Sequence, residues 1–344
     1  MQKYLKKIYE RYKKRGQRAA FFIGFFILLI GSFFLFYKEV LLSKEPIFIY
    51  VRKGSTHRSF SELLSSRKIV DNSFLVRVAL SVFNVKLKQG EYLLPAGASL
   101  WDIIFIVTKG KVHQRFITFP EGITAWDTCK ILDKMPGLTG ACPYDLKEGA
   151  ILPNTYAYLW GESKKALLMR CHREMKKEVE QLWKYRLSET PLKTPEELVI
   201  LASIVEKETS KPEERPLVAA VFLNRLKKGM PLQADPTVLY GINKERVAQG
   251  KKLKGALSKE DLCAKSSKNL YNTYKMKGLP PSPISHPGKA ALEAVISPSK
   301  EAYLYFVADS TGGHIFSKSL KNHILHHKKW RQYKKQNRAK VNES

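Results

Sequence analysis

Apolar residues change their pattern along the chain, and each pattern predicts a different kind of element. The first pattern is an unbroken run at 19–37 (AAFFIGFFILLIGSFFLFY), with no charged residue and no polar stripe. At 1.5 Å rise per residue it reaches roughly 30 Å, the thickness of a bilayer's hydrocarbon, and predicts a transmembrane helix. Its end in Phe34, Leu35, Phe36 and Tyr37 suits an uncleaved anchor better than a signal peptide, which closes on a small-x-small cleavage site.

Residues 46–115 alternate over shorter distances. They predict a strand at 47–51 (IFIYV), a helix over 59–66, a strand and turn at 90–97, and a helix over 100–107 stopped by Lys109, Gly110 and Lys111. Residues 116–330 read as helix-rich, with 3.6-residue periodicity at 167–185, 195–209 and 212–226. A Pro/Gly-rich stretch follows at 278–288, then a strand at 302–308 (AYLYFVA). The remainder, 331–344, is a basic tail with the pattern of a frayed helix or a disordered end. The expected class is α+β: an N-terminal transmembrane helix, a small α/β module and a larger helix-rich mixed α+β domain.

Charge orients the anchor. The chain carries 60 Lys+Arg against 31 Asp+Glu, a formal net charge of +29. Residues 1–18 hold +7, residues 318–344 hold +8, and the middle keeps +14. Eight basic side chains precede the apolar run, whereas Lys38 and Glu39 cancel after it. The positive-inside rule then places residues 1–18 in the cytoplasm and exports everything beyond about residue 40. A basic surface favours polyanions, but this topology excludes a nucleic-acid function. An acidic wall polymer or an anionic lipid remains.

Most motifs that carry chemistry are missing. There is no G-x-x-x-x-G-K-[ST], G-x-G-x-x-G, G-x-S-x-G or H-E-x-x-H. The cysteines at 129, 142, 171 and 263 lack C-x-x-C spacing, and His323, His326 and His327 read as a helix face, so no metal or cofactor is expected. Cys129 and Cys142 fit either a disulfide in an exported domain or two buried thiols.

The segment ELVILASIVEKETS (197–210) stands apart, because an apolar helix abruptly presents Glu206, Lys207 and Glu208. Pattern alone also fits two solvated carboxylates at a helix end. Helix geometry separates them. Glu208 follows Leu201, Ile204 and Val205 on the bulky apolar stripe, whereas Glu206 lies over Val199, Ala202 and Ser203. A carboxyl among bulky apolar neighbours is desolvated and holds its proton near neutrality, as a general acid must. Glu208 is therefore the first candidate and Glu206 the second. Two further clusters, MPLQADPTVLYG (230–241) and YNTY (271–274) with GLPP (278–281), place amide, hydroxyl and aromatic groups on what read as rigid Pro/Gly loops. Such groups suit sugar recognition, and each also fits an ordinary turn or cap.

These stretches resemble the YceG-like family of endolytic murein transglycosylases. The residues that carry the resemblance are LASIVEKET (201–209), VFLNRL (221–226), LQADPTVLYG (232–241), YNTY (271–274), GLPPSPIS (278–285), YLYFVAD (303–309) and GGHIFS (312–317), with weaker matches at GEYLLPAG (90–97), FPEGIT (119–124) and ILPNTYAY (151–158). The chain departs from the family's usual pattern at Ser282 for Gly, His286 for Asn and Asn154 for Asp. The resemblance implies a LysM-like module over 46–115 and a catalytic domain over 116–330. It also implies cleavage of the β-1,4 bond between N-acetylmuramic acid and N-acetylglucosamine in peptidoglycan glycan strands, leaving 1,6-anhydro ends. The catalytic glutamate maps to Glu208. Gln233, Asp235, Thr237, Asn272 and Tyr274 become candidates for substrate positioning, with Asp235 also plausible as a cap. No cofactor is implied. The implied location is the bacterial cell membrane, single-pass, and the implied partners include the cell-wall synthesis machinery, although no residue identifies one. The alternative is a membrane-tethered peptidoglycan-binding or assembly protein with little or no catalysis.

Overall fold

The computed structural model describes residues 18, 21–26, 31, 45–143, 145–263 and 269–342. The apolar run at 19–37 lies mostly outside them, as does the basic segment before it. Among the described residues no helix is long and apolar enough to cross a membrane. The chain divides into two units: Met1–Arg115 with Leu159–Gly161, and Phe116–Tyr158 with Glu162–Ser344.

The first unit runs β1 (Ile47–Val51), α1 (His57–Ser66), α2 (Ser73–Val82), β2 (Gly90–Leu94) and α3 (Leu100–Lys109). β1 and β2 pair antiparallel, with Ile47 opposite Leu94 and Val51 opposite Gly90. Local chemistry sets the helix ends. Thr56 with Ser59 and Ser99 with Asp102 form reciprocal capping boxes, and Gly110 ends α3 in the left-handed conformation. The core gathers Ile49, Val51, Phe60, Leu64, Leu80, Tyr92, Ile103 and Val107. Buried Glu91 is held by Arg115 through two hydrogen bonds of 2.8 and 3.0 Å. Helix α2 was not expected: seven of its ten residues (SFLVRVALSV) are apolar, and its polar face is only the narrow stripe of Ser73, Arg77 and Ser81.

The second unit takes in most of β3 (Gln114–Thr118), α4 (Ala125–Lys134), all but the last residue of β4 (Thr155–Leu159), and α5 (Lys164–Trp183). Next come α6 (Pro195–Glu208), a short 3-10 turn (Pro212–Glu214), α7 (Arg215–Lys227), α8 (Asp235–Ala248) and α9 (Lys259–Cys263). It closes with α10 (Lys289–Ile296), β5 (Tyr305–Ala308), β6 (His314–Ser317) and α11 (Leu320–Asn342). β3 pairs with β4 and β5 with β6, the latter antiparallel with Tyr305 opposite Ser317. The centre is helical: α6, α7 and α10 pack together around Leu201, Ile204, Val205, Val218, Phe222 and Leu292. Each such side chain contributes about 1.5–3 kcal/mol when withdrawn from water. The basic tail continues as helix α11 to Asn342.

Three expected elements differ. The strand at 302–308 begins only at Tyr305. The helix over 212–226 divides, because Pro212 and Pro216 each favour a first turn, so a 3-10 turn precedes α7. The DPTVLYG stretch, read as a rigid loop, is the start of helix α8, with Pro236 in its first turn.

Cys129 on α4 is joined to Cys142 by a disulfide that closes a 13-residue separation. Replacing Cys129 with Ser is expected to lower the stability of this unit by about 2–3 kcal/mol, through the extra freedom of the unfolded chain. Urea unfolding of the oxidised wild type against the variant measures the difference, and coincident curves would show that the link contributes nothing.

Candidate active site

Helix α6 delivers the two glutamates. Thr194 caps its start by accepting from the Glu197 amide, and Pro195 opens its first turn. Every residue of its Leu198–Val205 middle is buried, so the helix is gripped on all sides. Its final turn presents Glu206, Lys207 and Glu208 at the negative end of the helix dipole, which itself opposes a carboxylate there.

The two carboxyls meet different surroundings. Glu206 has both oxygens occupied: Oε1 accepts from Arg215 Nη2 at 3.0 Å and Oε2 from the Gly288 amide at 2.9 Å. Its side chain is 5% exposed. Burial raises its pKa, and the Gly288 amide and Arg215 hold that rise in check. Arg215 also reaches Glu121 at 3.2 Å, so Glu206 belongs to a buried clasp joining the ends of α6, α7 and the loop before α10. Glu208 is half-buried, and among the described residues its carboxyl accepts no hydrogen bond. Its pKa is pushed up to about 8, by burial first and by the nearby Asp235 carboxylate second, with Arg225 opposing. Glu208 is thus the carboxyl that is protonated at neutrality and free to give its proton away.

Arg225 organises the surface beside it. The guanidinium donates to Leu304 O at 2.7 Å and to Leu232 O at 2.7 Å, approaches Gln233 Oε1 at 3.4 Å, and lies 5.3 Å over the Tyr305 ring. This fixes the turn in which Gln233 takes a left-handed backbone (φ 52°), a conformation that costs a non-glycine residue about 1 kcal/mol. Gln233 and Asp235 are exposed, and Asp235 accepts from the Tyr274 hydroxyl at 2.5 Å. Glu208, Gln233, Asp235 and Tyr274 therefore come together around Arg225.

Thr237 and Asn272 do not join them at the surface. Thr237 is fully buried, its hydroxyl donating to Ala234 O at 2.7 Å and lying 2.9 Å from that of Thr273. Asn272 is 2% exposed, with Oδ1 accepting from the Tyr274 amide at 3.0 Å. The reason is local: α8 begins at Asp235 and turns Thr237 inward, and Asn272 closes the turn that carries Tyr274. Both side chains set the position of exposed neighbours.

Sequence reasoning passed over Arg225, Arg215, Glu121 and Glu214. Buried Glu214 accepts from Thr209 Oγ1 at 2.9 Å, from the His314 amide at 2.8 Å and from His314 Nδ1 at 2.7 Å. Burial would raise its pKa, but these donors bring it below the usual value. It ties the residue after Glu208 to β6. Arg225 and His314 both lie inside motifs already singled out, VFLNRL and GGHIFS, and an Arg within an apolar helix was the available signal. His286 is completely buried, with no partner for either ring nitrogen among the described residues, and burial pushes its pKa down to about 3. Its backbone pairs with Gly122 and Ile123. Asn154 immediately precedes β4, and its side chain accepts from the Thr155 amide. His323, His326 and His327 share a half-buried helix face, on which His323 stacks on Tyr305 and His327 on Trp330.

A separate concavity of about 900 Å³, which Glu208 does not line, has walls that include the stacked rings of Trp126 and Tyr240 and the Lys244, Tyr271 and Ser282 side chains. The YNTY segment is thus divided: Tyr274 faces Asp235, while Tyr271 faces this concavity and bonds Ser282 at 2.7 Å.

A carboxyl that burial keeps protonated, with an exposed amide, a carboxylate and a phenol nearby on a helical α+β unit, has what general-acid chemistry requires. The chain that carries it belongs to the YceG-like family, whose model matches residues 49–329. It is 28% identical over 335 residues to the endolytic murein transglycosylase of Bacillus subtilis strain 168, covering 86% of this chain and 89% of that one. It is 31% identical over 277 residues to the endolytic murein transglycosylase of Streptococcus pneumoniae D39, covering 80% of this chain but 46% of that protein, about half its length. A crystal structure of a putative yceG-like protein from Listeria monocytogenes matches at 28% identity and a TM-score of 0.48, covering 82% of this chain and 99% of that one.

Proposed function

We propose that this chain is an endolytic murein transglycosylase that cleaves the β-1,4 bond between N-acetylmuramic acid and N-acetylglucosamine within peptidoglycan strands. The observation that carries the reading is Glu208: a carboxyl with a pKa near 8, no hydrogen-bond partner among the described residues, and polar exposed neighbours. Protonated Glu208 gives its proton to the leaving glycosidic oxygen. The resulting carboxylate then takes the proton of the muramyl C6 hydroxyl, which attacks C1 and closes the 1,6-anhydro ring. Arg225 and Asp235 oppose each other in setting when the carboxyl ionises. Gln233, Asp235 and Tyr274 position the sugar directly, while Thr237 and Asn272 hold the turns from which they project. Because the substrate's own hydroxyl replaces water, a second catalytic carboxylate at a fixed separation is not required.

The same reading places the chain in the bacterial cell membrane. The run at 19–37 is a single-pass anchor, residues 1–18 stay in the cytoplasm, and both units lie outside. The Cys129–Cys142 disulfide suits an oxidising compartment. Strand–helix–helix–strand order with antiparallel strands supports a LysM-like module over 46–115. Cell-wall synthesis machinery is the expected partner.

The test is to incubate the full chain with glycan strands and read the new ends by mass spectrometry. Anhydromuramyl ends are expected. Reducing ends would mean that water attacks and the reaction is hydrolysis. Strand binding with no new ends would favour the tethered binder.

A further inference from the structure

The small unit exposes an apolar stripe that its own core does not use. On α2, Phe74, Val78 and Val82 recur every four residues, away from buried Val76, Ala79 and Leu80. Phe83 follows, and its ring meets Trp101 of α3 edge-on at 5.4 Å; Phe105 lies one turn beyond Trp101. These six side chains are 37–70% exposed. Contiguous aromatic and aliphatic surface of this kind marks a contact site. Cations sit against it: the Arg77 guanidinium lies 5.4 Å over the Phe74 ring and the Lys109 ammonium 4.1 Å over that of Phe105.

We propose that this stripe docks on the surface of the bilayer in which the chain is anchored, with Phe74, Val78, Val82, Phe83, Trp101 and Phe105 in the interface and Arg77 and Lys109 on lipid phosphates. The proposal rests on the reading of 19–37 as an anchor. Between the end of that run and β1 lie the nine residues 38–46, which span at most about 30 Å when fully extended. The unit is therefore confined near the lipid, so docking is effectively intramolecular and needs little intrinsic affinity. Trp and Phe with flanking Arg and Lys is the composition that membrane–water interfaces select. Charge points the same way. Residues 46–115 carry eleven Lys and Arg against four Asp and Glu, which attracts anionic headgroups and repels a second copy of the same unit. A glycan would need hydrogen-bonding groups, and of these six side chains only Trp101 offers one.

The experiment uses the full chain reconstituted in vesicles of phosphatidylethanolamine and phosphatidylglycerol, with acyl chains brominated near the headgroup end. The chain has five tryptophans and none lies before Trp101. Brominated lipid is expected to quench wild-type emission, with the share due to Trp101 disappearing in Trp101→Phe. The triple variant Phe74→Ser, Val78→Ser, Val82→Ser should lower that share several-fold, and vesicles of phosphatidylcholine alone should lower it in the wild type. Protein that floats with the vesicles while Trp101 stays unquenched overturns the docking proposal and assigns the stripe to a protein partner. Protein that does not float overturns the anchor reading, and the docking proposal with it.

Discussion

Glu208→Gln is expected to abolish strand cleavage, lowering kcat by about 10³-fold or more, while the protein folds and still binds glycan. General acid–base groups contribute on the order of 10²–10⁴, and in the proposed mechanism one carboxyl serves as the acid and then as the base. Glutamine keeps the shape and loses both functions. The loss should fall on kcat and leave KM nearly unchanged, because Gln233, Asp235 and Tyr274 remain in place. Full activity in this variant would remove Glu208 from the mechanism and move the assignment to Glu206.

The pH dependence follows from the same carboxyl. In the proposed mechanism catalysis begins from protonated Glu208, so kcat/KM should fall as pH rises through about 8. Stability moves in the same direction. The folded state holds this proton up to about pH 8, whereas the unfolded chain releases it near the ordinary glutamate value of 4.5. Between these values the folded state binds more protons, so stability declines as pH rises across the window. Glu148, whose pKa burial pushes up to about 7, adds a similar slope in both proteins. The melting temperature of Glu208→Gln should therefore exceed that of the wild type by a margin that grows from pH 5 to pH 8. A constant margin would place the ionisation of Glu208 at its ordinary value.

Local order was readable in the sequence because local chemistry decides it. Ile47–Val51 alternates and forms a strand at those bounds, and Thr194 with Pro195 marks the start of α6. Helix periodicity ranked Glu208 over Glu206, the family resemblance pointed to the same residue, and the two carboxyls do meet different surroundings. What the periodicity could not show is why Glu206 is tied up. Its partners, Arg215 and the amide of Gly288, reach it from other segments, and Gly288 is 82 residues away. The same limit hid Arg225, whose work is done on backbone carbonyls of two other loops. Helix α8 was misread because Pro236 resembles a loop residue until it is placed in a first helical turn, where its missing N–H costs nothing. That error is also what made Thr237 look available to a substrate.

Glu206→Ala is expected to act mainly on stability, by about 3 kcal/mol. Glu206 and Arg215 are 5% and 10% exposed at the side chain, and their pairing is supplemented by the Gly288 amide. Removing one member of a buried pair is strongly destabilising because the other charge stays buried without its counterpart. Arg215 would keep only Glu121, which is 45% exposed and screened by water. The Gly288 amide would lose its acceptor as well. In a unit of this size, 3 kcal/mol corresponds to a fall of roughly 10 °C in melting temperature. Glu206→Gln should fall less, since its amide oxygen can still accept from Gly288 or Arg215. Well below its melting temperature, each variant should keep activity within about tenfold of wild type, because Glu208 is untouched. That outcome would separate a residue that holds the helix end in place from the one proposed to move the proton. A folded Glu206→Gln as inactive as Glu208→Gln would mean that the clasp itself takes part in the proton transfer.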